Sequence, residues 1–176
     1  MTSTPPAWPD TLPLPRDPSG PYRICLVCLG NICRSPMAET VLRAELDRAG
    51  LRGRAEVDSA GTGDWHVGHP MDRRARAELA ARGYDGTAHR ARQFRPEWLA
   101  GRDLVLAMDA KNRDDLRRVG AAPGRLRMLR SFDPAVGPDA EVPDPYYGNG
   151  GSFQLVLDQI EAAARGLAGA LRAALG

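Results

Sequence analysis

Cysteine is scarce in this sequence: there are three among 176 residues, at positions 25, 28 and 33. Crowded into one stretch, they cannot staple a fold, which points to a reducing compartment and a catalytic or buried role. Long apolar runs are missing too. No stretch of about 18 apolar residues exists, so no membrane span is expected. The N-terminus does not pair a basic region with an apolar core. It therefore does not read as a secretion signal, and a cytoplasmic location is expected. Charge is balanced, with 24 basic and 22 acidic residues and a formal net charge of +2, which argues against a nucleic-acid partner. Nucleotide loops are absent: there is no G-x-x-x-x-G-K-[ST], and Gly61-Thr62-Gly63 lacks a third glycine three positions on. The remaining composition, 43% apolar and 26% charged, is ordinary for one well-cored soluble domain.

The chain is organised around Cys28-Leu29-Gly30-Asn31-Ile32-Cys33-Arg34-Ser35-Pro36. An apolar run, Ile24 to Val27, precedes it. A helical stripe of Ala38, Val41, Leu42, Leu46 and Ala49 follows. Pro36 suits a first helical position, and Ser35 can cap. Five residues separate Cys28 from Arg34, enough to curl the backbone until several N–H groups converge. With the helix dipole and a guanidinium added, the loop becomes a cradle for a tetrahedral dianion. The same field favours a thiolate, which makes Cys28 the candidate nucleophile. Asn31, mid-loop, tolerates a left-handed backbone.

Residues 1–21 carry seven prolines and read as an extended, mobile tail with a possible partner-binding role. Strands are expected at Tyr22 to Val27, Ala55 to Ser59, Leu104 to Ala107 and, most weakly, Leu126 to Leu129. Helices are expected at about Ser35 to Ala49, Asp72 to Arg82, a short turn near Glu97 to Ala100, from a cap at Asp109 to about Val119, and Ser152 to Leu175. Long loops cover Ala60 to Pro70 and Ser131 to Gly150. This alternation predicts an α/β domain over 22–176, a four-stranded parallel sheet with helices on both faces. Ligands of such sheets sit beyond the carboxyl ends of the strands, where the loop after Val27 lies.

The run Val27 to Pro36 resembles the signature of the low-molecular-weight protein tyrosine phosphatases, and Asp144-Pro145-Tyr146-Tyr147 resembles that family's second hallmark. The similarity extends from about Tyr22 to Leu175. It implies a phosphotyrosine phosphatase of the bacterial type, with phosphotyrosine proteins as substrates, no cofactor, no metal, and a monomer or weak dimer. Cys28, Arg34 and Asp144 are then the catalytic residues. Leu29, Gly30, Asn31, Ile32, Cys33 and Ser35 form the phosphate-binding loop, and Ser59 and His89 hydrogen-bond Asn31. Trp65, His66, Tyr146 and Tyr147 wall the substrate pocket, and the two tyrosines also match phosphorylation sites of the family. The resemblance further implies that Cys33 can capture an oxidised Cys28 reversibly.

Chemistry asks for the same parts. A phenol has a pKa of about 10, so its rapid expulsion from phosphorus requires a general acid, the place Asp144 would take. Blander readings stand beside these: Ser35 as a helix cap, Trp65 closing the core, His89 as a surface turn residue. Cys25-Leu26-Val27-Cys28 has a C-x-x-C spelling, yet a strand splays its two thiols onto opposite faces, so Cys25 reads as core. Two other functions meet obstacles in the sequence. A thiol-dependent arsenate reductase needs relay cysteines, and none lies beyond Cys33. A catalytically dead phosphotyrosine-binding module would lack the cysteine, arginine or aspartate, and all three are present.

Overall fold

The computed structural model describes residues 12–148 and 150–176. Its centre is a parallel sheet of four strands: β1 (Tyr22–Cys28), β2 (Ala55–Gly61), β3 (Leu104–Ala107) and β4 (Leu126–Met128), in the spatial order β2-β1-β3-β4. The helices are α1 (Arg34–Arg48), α2 (Arg73–Ala81), α3 (Ala110–Arg118) and α4 (Gly150–Leu175). Short 3-10 turns occupy Pro96–Gly101, Pro123–Arg125 and Leu129–Phe132.

Alternation along the strands sends side chains to both faces, and both are covered. Ile24, Leu26, Leu104 and Leu106 pack with Val41 and Leu42 of α1, Leu79 of α2 and Phe153, Leu157 and Ile160 of α4. On the other face, Cys25, Val27, Val105 and Ala107 pack with Phe94, Leu116 of α3 and Leu126. All four residues of β3 are buried, as its continuous apolar run predicts for a strand covered on both sides. Cys25 and Cys28 fall in the clusters on opposite faces.

Element boundaries shift for physical reasons. β1 and β2 each run further than the sequence pattern, because parallel pairing continues through Cys28 opposite Gly61. A Cβ on Gly61 would lie 2.7 Å from the Leu29 carbonyl oxygen, so the bare backbone there lets the loop after β1 pack down. Leu129 leaves β4 for a 3-10 turn. Ser35 is not the cap of α1: Cys33 holds the N-cap position, without a side-chain bond, and Ser35 lies inside the helix with its hydroxyl turned to the loop. Asp72 and Asp109 do cap, accepting from Arg74 N–H and Asn112 N–H, both at 2.8 Å.

Folded structure also starts earlier than Tyr22. The Asp103 carboxylate, buried ahead of β3, accepts from the Arg16 N–H and the Arg23 N–H, both at 2.7 Å. Tyr22 Oη donates to the Pro13 carbonyl at 2.8 Å, and Arg125 donates to that of Leu14 at 2.9 Å. This part of the expected tail is strapped across the amino-terminal ends of the strands, because a buried carboxylate needs donors and extended backbone supplies them. Residues 1–11 lie outside the described residues.

Candidate active site

The curl between β1 and α1 is fixed from outside by its own carbonyls. The Cys28 and Leu29 oxygens accept from the Thr62 and Gly63 N–H groups, both at 2.9 Å, and the Ile32 oxygen accepts from the Asp72 N–H at 2.8 Å. The Asn31 oxygen takes a bond from His89 Nε2 at 2.7 Å. With these acceptors engaged outward, the loop turns inward around sulfur, and the Asn31 N–H reaches Cys28 Sγ at 3.3 Å. That geometry needs a left-handed residue, and Asn31 supplies it at φ 57°.

Asn31 is the keystone of the loop. Its amide donates to Ser35 Oγ at 2.8 Å and Ser59 Oγ at 3.0 Å, and its Oδ1 accepts from the Arg92 N–H at 2.9 Å. Both Ser59 and His89 therefore contact it, the first through its side chain and the second through its backbone. Burial pushes the His89 pKa down; the bond to Asn31 opposes this, and Arg92, Arg43 and Arg90 add to the fall. Because a carbonyl only accepts, His89 carries its proton on Nε2.

Cys28 Sγ lies 2.9 Å from Ser35 Oγ, and both residues are buried. Ser35 already accepts from Asn31, so its own proton faces Sγ or the Ala60 carbonyl at 3.3 Å. Arg34 opens α1 with a side chain only 3% exposed. Its Nη1 donates to Asp109 Oδ2 at 2.7 Å and to the Val142 carbonyl at 3.1 Å, and its Nη2 stands 3.6 Å from Asp144 Oδ2. Burial works against this cation, yet Cys28, Asp109 and Asp144 together raise its pKa. Burial is also the main reason the Cys33 thiol pKa is pushed well up, with Asp72, Cys28 and Asp144 adding to it.

A cavity of about 420 Å³ opens above the sulfur, lined by Cys28, Leu29, Gly30, Ile32, Cys33, Arg34, Trp65, His66, Asp144, Tyr146 and Tyr147. Trp65 does not close the core: it is 68% exposed, lying over Gly63, where an added Cβ would fall 1.8 Å from its ring. Across the opening, the Tyr146 ring centroid is 6.2 Å from that of His66 and 4.9 Å from that of Tyr147. Tyr146 donates its N–H to Asp144 Oδ1 at 3.0 Å, which turns that carboxylate over the mouth. Asn31, Ser35, Ser59 and His89 sit behind the wall and support it. Sequence reasoning missed Asp109, the Val142 carbonyl and the Arg92 N–H. Asp109 was visible only as a helix cap, and nothing local tied it to Arg34, 75 positions away. Among the described residues, no group of three or more His, Cys, Asp or Glu side chains could hold a metal ion. No helix there is long and apolar enough to cross a membrane.

A buried thiol inside a backbone cradle, at the carboxyl end of a central parallel strand and faced by guanidinium and carboxylate, defines an α/β protein built to receive a phosphoryl group. Residues 23–175 match the family described as low molecular weight phosphotyrosine protein phosphatase, and the chain belongs to that family. A Streptomyces coelicolor protein named low molecular weight protein-tyrosine-phosphatase is 52% identical over 155 residues, 86% of this chain and 94% of that one. Low molecular weight protein-tyrosine phosphatase A of Mycobacterium tuberculosis is 49% identical over 150 residues, 85% of this chain and 91% of the other. The crystal structure of YfkJ from Bacillus subtilis superposes with a TM-score of 0.83 at 33% identity, covering 91% of this chain and all of that one.

Proposed function

We propose that this chain hydrolyses phosphotyrosine in proteins, and simpler aryl phosphates, through a cysteinyl-phosphate. The observation that carries the reading is the placement of Cys28 Sγ, held between the Ser35 hydroxyl and the Asn31 N–H, in the same cavity as Arg34 and Asp144. The Cys28 thiolate attacks phosphorus in line, forming the S–P bond as the P–O bond to the phenol breaks. Arg34 and the loop N–H groups hold the equatorial oxygens, so charge is compensated where it develops. Asp144 gives its proton to the departing tyrosyl oxygen. The resulting carboxylate then takes a proton from water, whose oxygen attacks phosphorus and returns the electron pair to sulfur. Ser35 donates to that departing thiolate. Trp65 and the tyrosines supply flat apolar walls for the substrate ring, an aromatic contact worth about 0.5–1.5 kcal/mol per pair.

The test is hydrolysis of p-nitrophenyl phosphate and a phosphotyrosine peptide, with EDTA present, by wild type and Cys28→Ser. Turnover by wild type alone is expected; turnover by both, or by neither in freshly reduced protein, removes the thiol mechanism. Asp144→Ala should cost phenyl phosphate more than p-nitrophenyl phosphate, and equal losses remove Asp144 as the acid. We place the activity in a reducing, cytoplasmic setting, since all three cysteines are free. We further propose that the protein acts as a monomer or weak dimer and that its proline-rich residues 1–21 include a partner-binding segment.

A further inference from the structure

Between Asp133 and Gly148 no residue belongs to a helix or strand, yet this segment must hold Asp144 over the phosphate loop. Arg34 meets it from the phosphate loop, and a second arginine meets it from α2. Arg74, in the first turn of α2, binds the Asp72 carboxylate at two points, Nε to Oδ1 at 3.2 Å and Nη2 to Oδ2 at 3.0 Å. Its guanidinium carbon lies 5.5 Å from the centre of the Tyr146 ring and 4.7 Å from that of Phe153, near the start of α4. Asp72 in turn gives its N–H to Ile32 of the phosphate loop. Tyr146 gives its N–H to Asp144.

Resting on the phosphatase reading above, we propose that Arg74 is a positioning residue that sets the distance between the Asp144 carboxylate and the phosphate loop. The connection is continuous: phosphate loop, Ile32 carbonyl, Asp72, Arg74, Tyr146 ring, Asp144. Arginine suits the task, because a planar fork grips a carboxylate at two points while its faces lie on aromatic rings. Phe153 is fully buried, so the guanidinium stands on the core rather than on a second loop. The Arg74 side chain holds the Asp72 carboxylate, whereas the contact to the Ile32 carbonyl is made by the Asp72 backbone N–H. Loss of Arg74 should therefore impair proton delivery to the leaving group while leaving the phosphoryl cradle whole. Tyr146 also packs on the core, and that contact alone could hold the segment. The two accounts separate experimentally.

The experiment compares wild type, Arg74→Ala, Arg74→Lys and Asp72→Asn on p-nitrophenyl phosphate and phenyl phosphate, with inhibition by inorganic phosphate measured alongside. A positioned general acid contributes about 10²- to 10⁴-fold, and most where the leaving group is poor. For Arg74→Ala, kcat on phenyl phosphate is expected to fall about tenfold further than on p-nitrophenyl phosphate, with phosphate inhibition within about twofold of wild type. Arg74→Lys should fall between, keeping the cation but losing the two-point grip. Asp72→Asn keeps an N-cap residue, so α2 survives, and it should show the same selective loss in smaller measure. If Arg74→Ala unfolds, Asp72→Asn decides. Equal losses on both substrates, or weakened phosphate inhibition, overturn the positioning role and leave the phosphatase reading standing. Wild type inactive on both substrates overturns that reading itself.

Discussion

The Arg34 guanidinium and the Asp109 carboxylate meet at 2.7 Å with the arginine almost wholly buried, so the cation that would grip phosphate is aimed by a residue at the start of another helix. Asp109 uses its second oxygen to cap α3. One carboxylate thus fixes a helix and a guanidinium together.

Asp109→Asn separates these tasks. Asparagine caps as well as aspartate, so α3 should remain. The charge-assisted bond to Arg34 is worth about 1.5–3 kcal/mol, so kcat/KM should fall roughly ten- to a hundredfold. Kinetics with p-nitrophenyl phosphate, inhibition by inorganic phosphate and a thermal melt check it. Activity within twofold of wild type would show that the Val142 carbonyl and the Asp144 carboxylate suffice to hold Arg34.

Ser35→Ala should change which step is slow. Its hydroxyl is placed to donate to sulfur as sulfur departs, so breakdown of the cysteinyl-phosphate should suffer more than its formation. Stopped-flow traces should show a stoichiometric burst of p-nitrophenol followed by turnover slowed about tenfold. Slower turnover without a burst would place the defect in the first step instead.

His89 makes the loop pH-sensitive. Its folded pKa is depressed below the ordinary value of 6.5, so the unfolded chain takes up the proton first as pH falls. The stability from the neutral ring is fully present above that ordinary value. It declines as pH drops toward the depressed folded value and levels off below it. His89→Gln, which keeps a donor for the Asn31 carbonyl, should flatten this part of a stability–pH curve measured by denaturant melts. An unchanged slope in the variant would assign the effect to other groups.

Cys33 should act only after Cys28 is oxidised, because its own thiol is held protonated at neutral pH. Peroxide converts Cys28 to a sulfenic acid. Attack by the Cys33 sulfur then forms the disulfide and releases water. Dithiothreitol should restore activity in wild type but not fully in Cys33→Ser, whose oxidised Cys28 lacks a capture partner. Irreversible loss in wild type, with no Cys28–Cys33 linkage by mass spectrometry, would count against the capture.

Local signals carried much of this architecture. β3 follows from a continuous apolar run, α4 from its stripe of Phe153, Val156, Leu157, Ile160 and Leu171, and the left-handed Asn31 from the tolerance of asparagine for that conformation. The cavity likewise assembles the cysteine and arginine of one motif with the aspartate and tyrosines of the other. What escaped the sequence were contacts between distant segments. Asp109 reads as a cap because its cap bond is local, while its partner Arg34 is 75 residues back. Ser35 reads as a cap because composition cannot tell a hydroxyl facing a helix end from one facing sulfur. Residues 13–16 read as free tail because nothing in a proline-rich stretch announces the buried carboxylate of Asp103.

That strap has a practical side. Leu14, Arg16, Asp103 and Arg125 lie at the amino-terminal ends of the strands, and the cavity lies at their carboxyl ends. A molecule immobilised on a bead or sensor chip through a handle at residues 13–16 is gripped at its far pole, with the catalytic mouth facing the solution. Because the strap is bonded to the sheet, pulling on such a handle loads the roots of β1 and β3 before it disturbs the loop around Cys28.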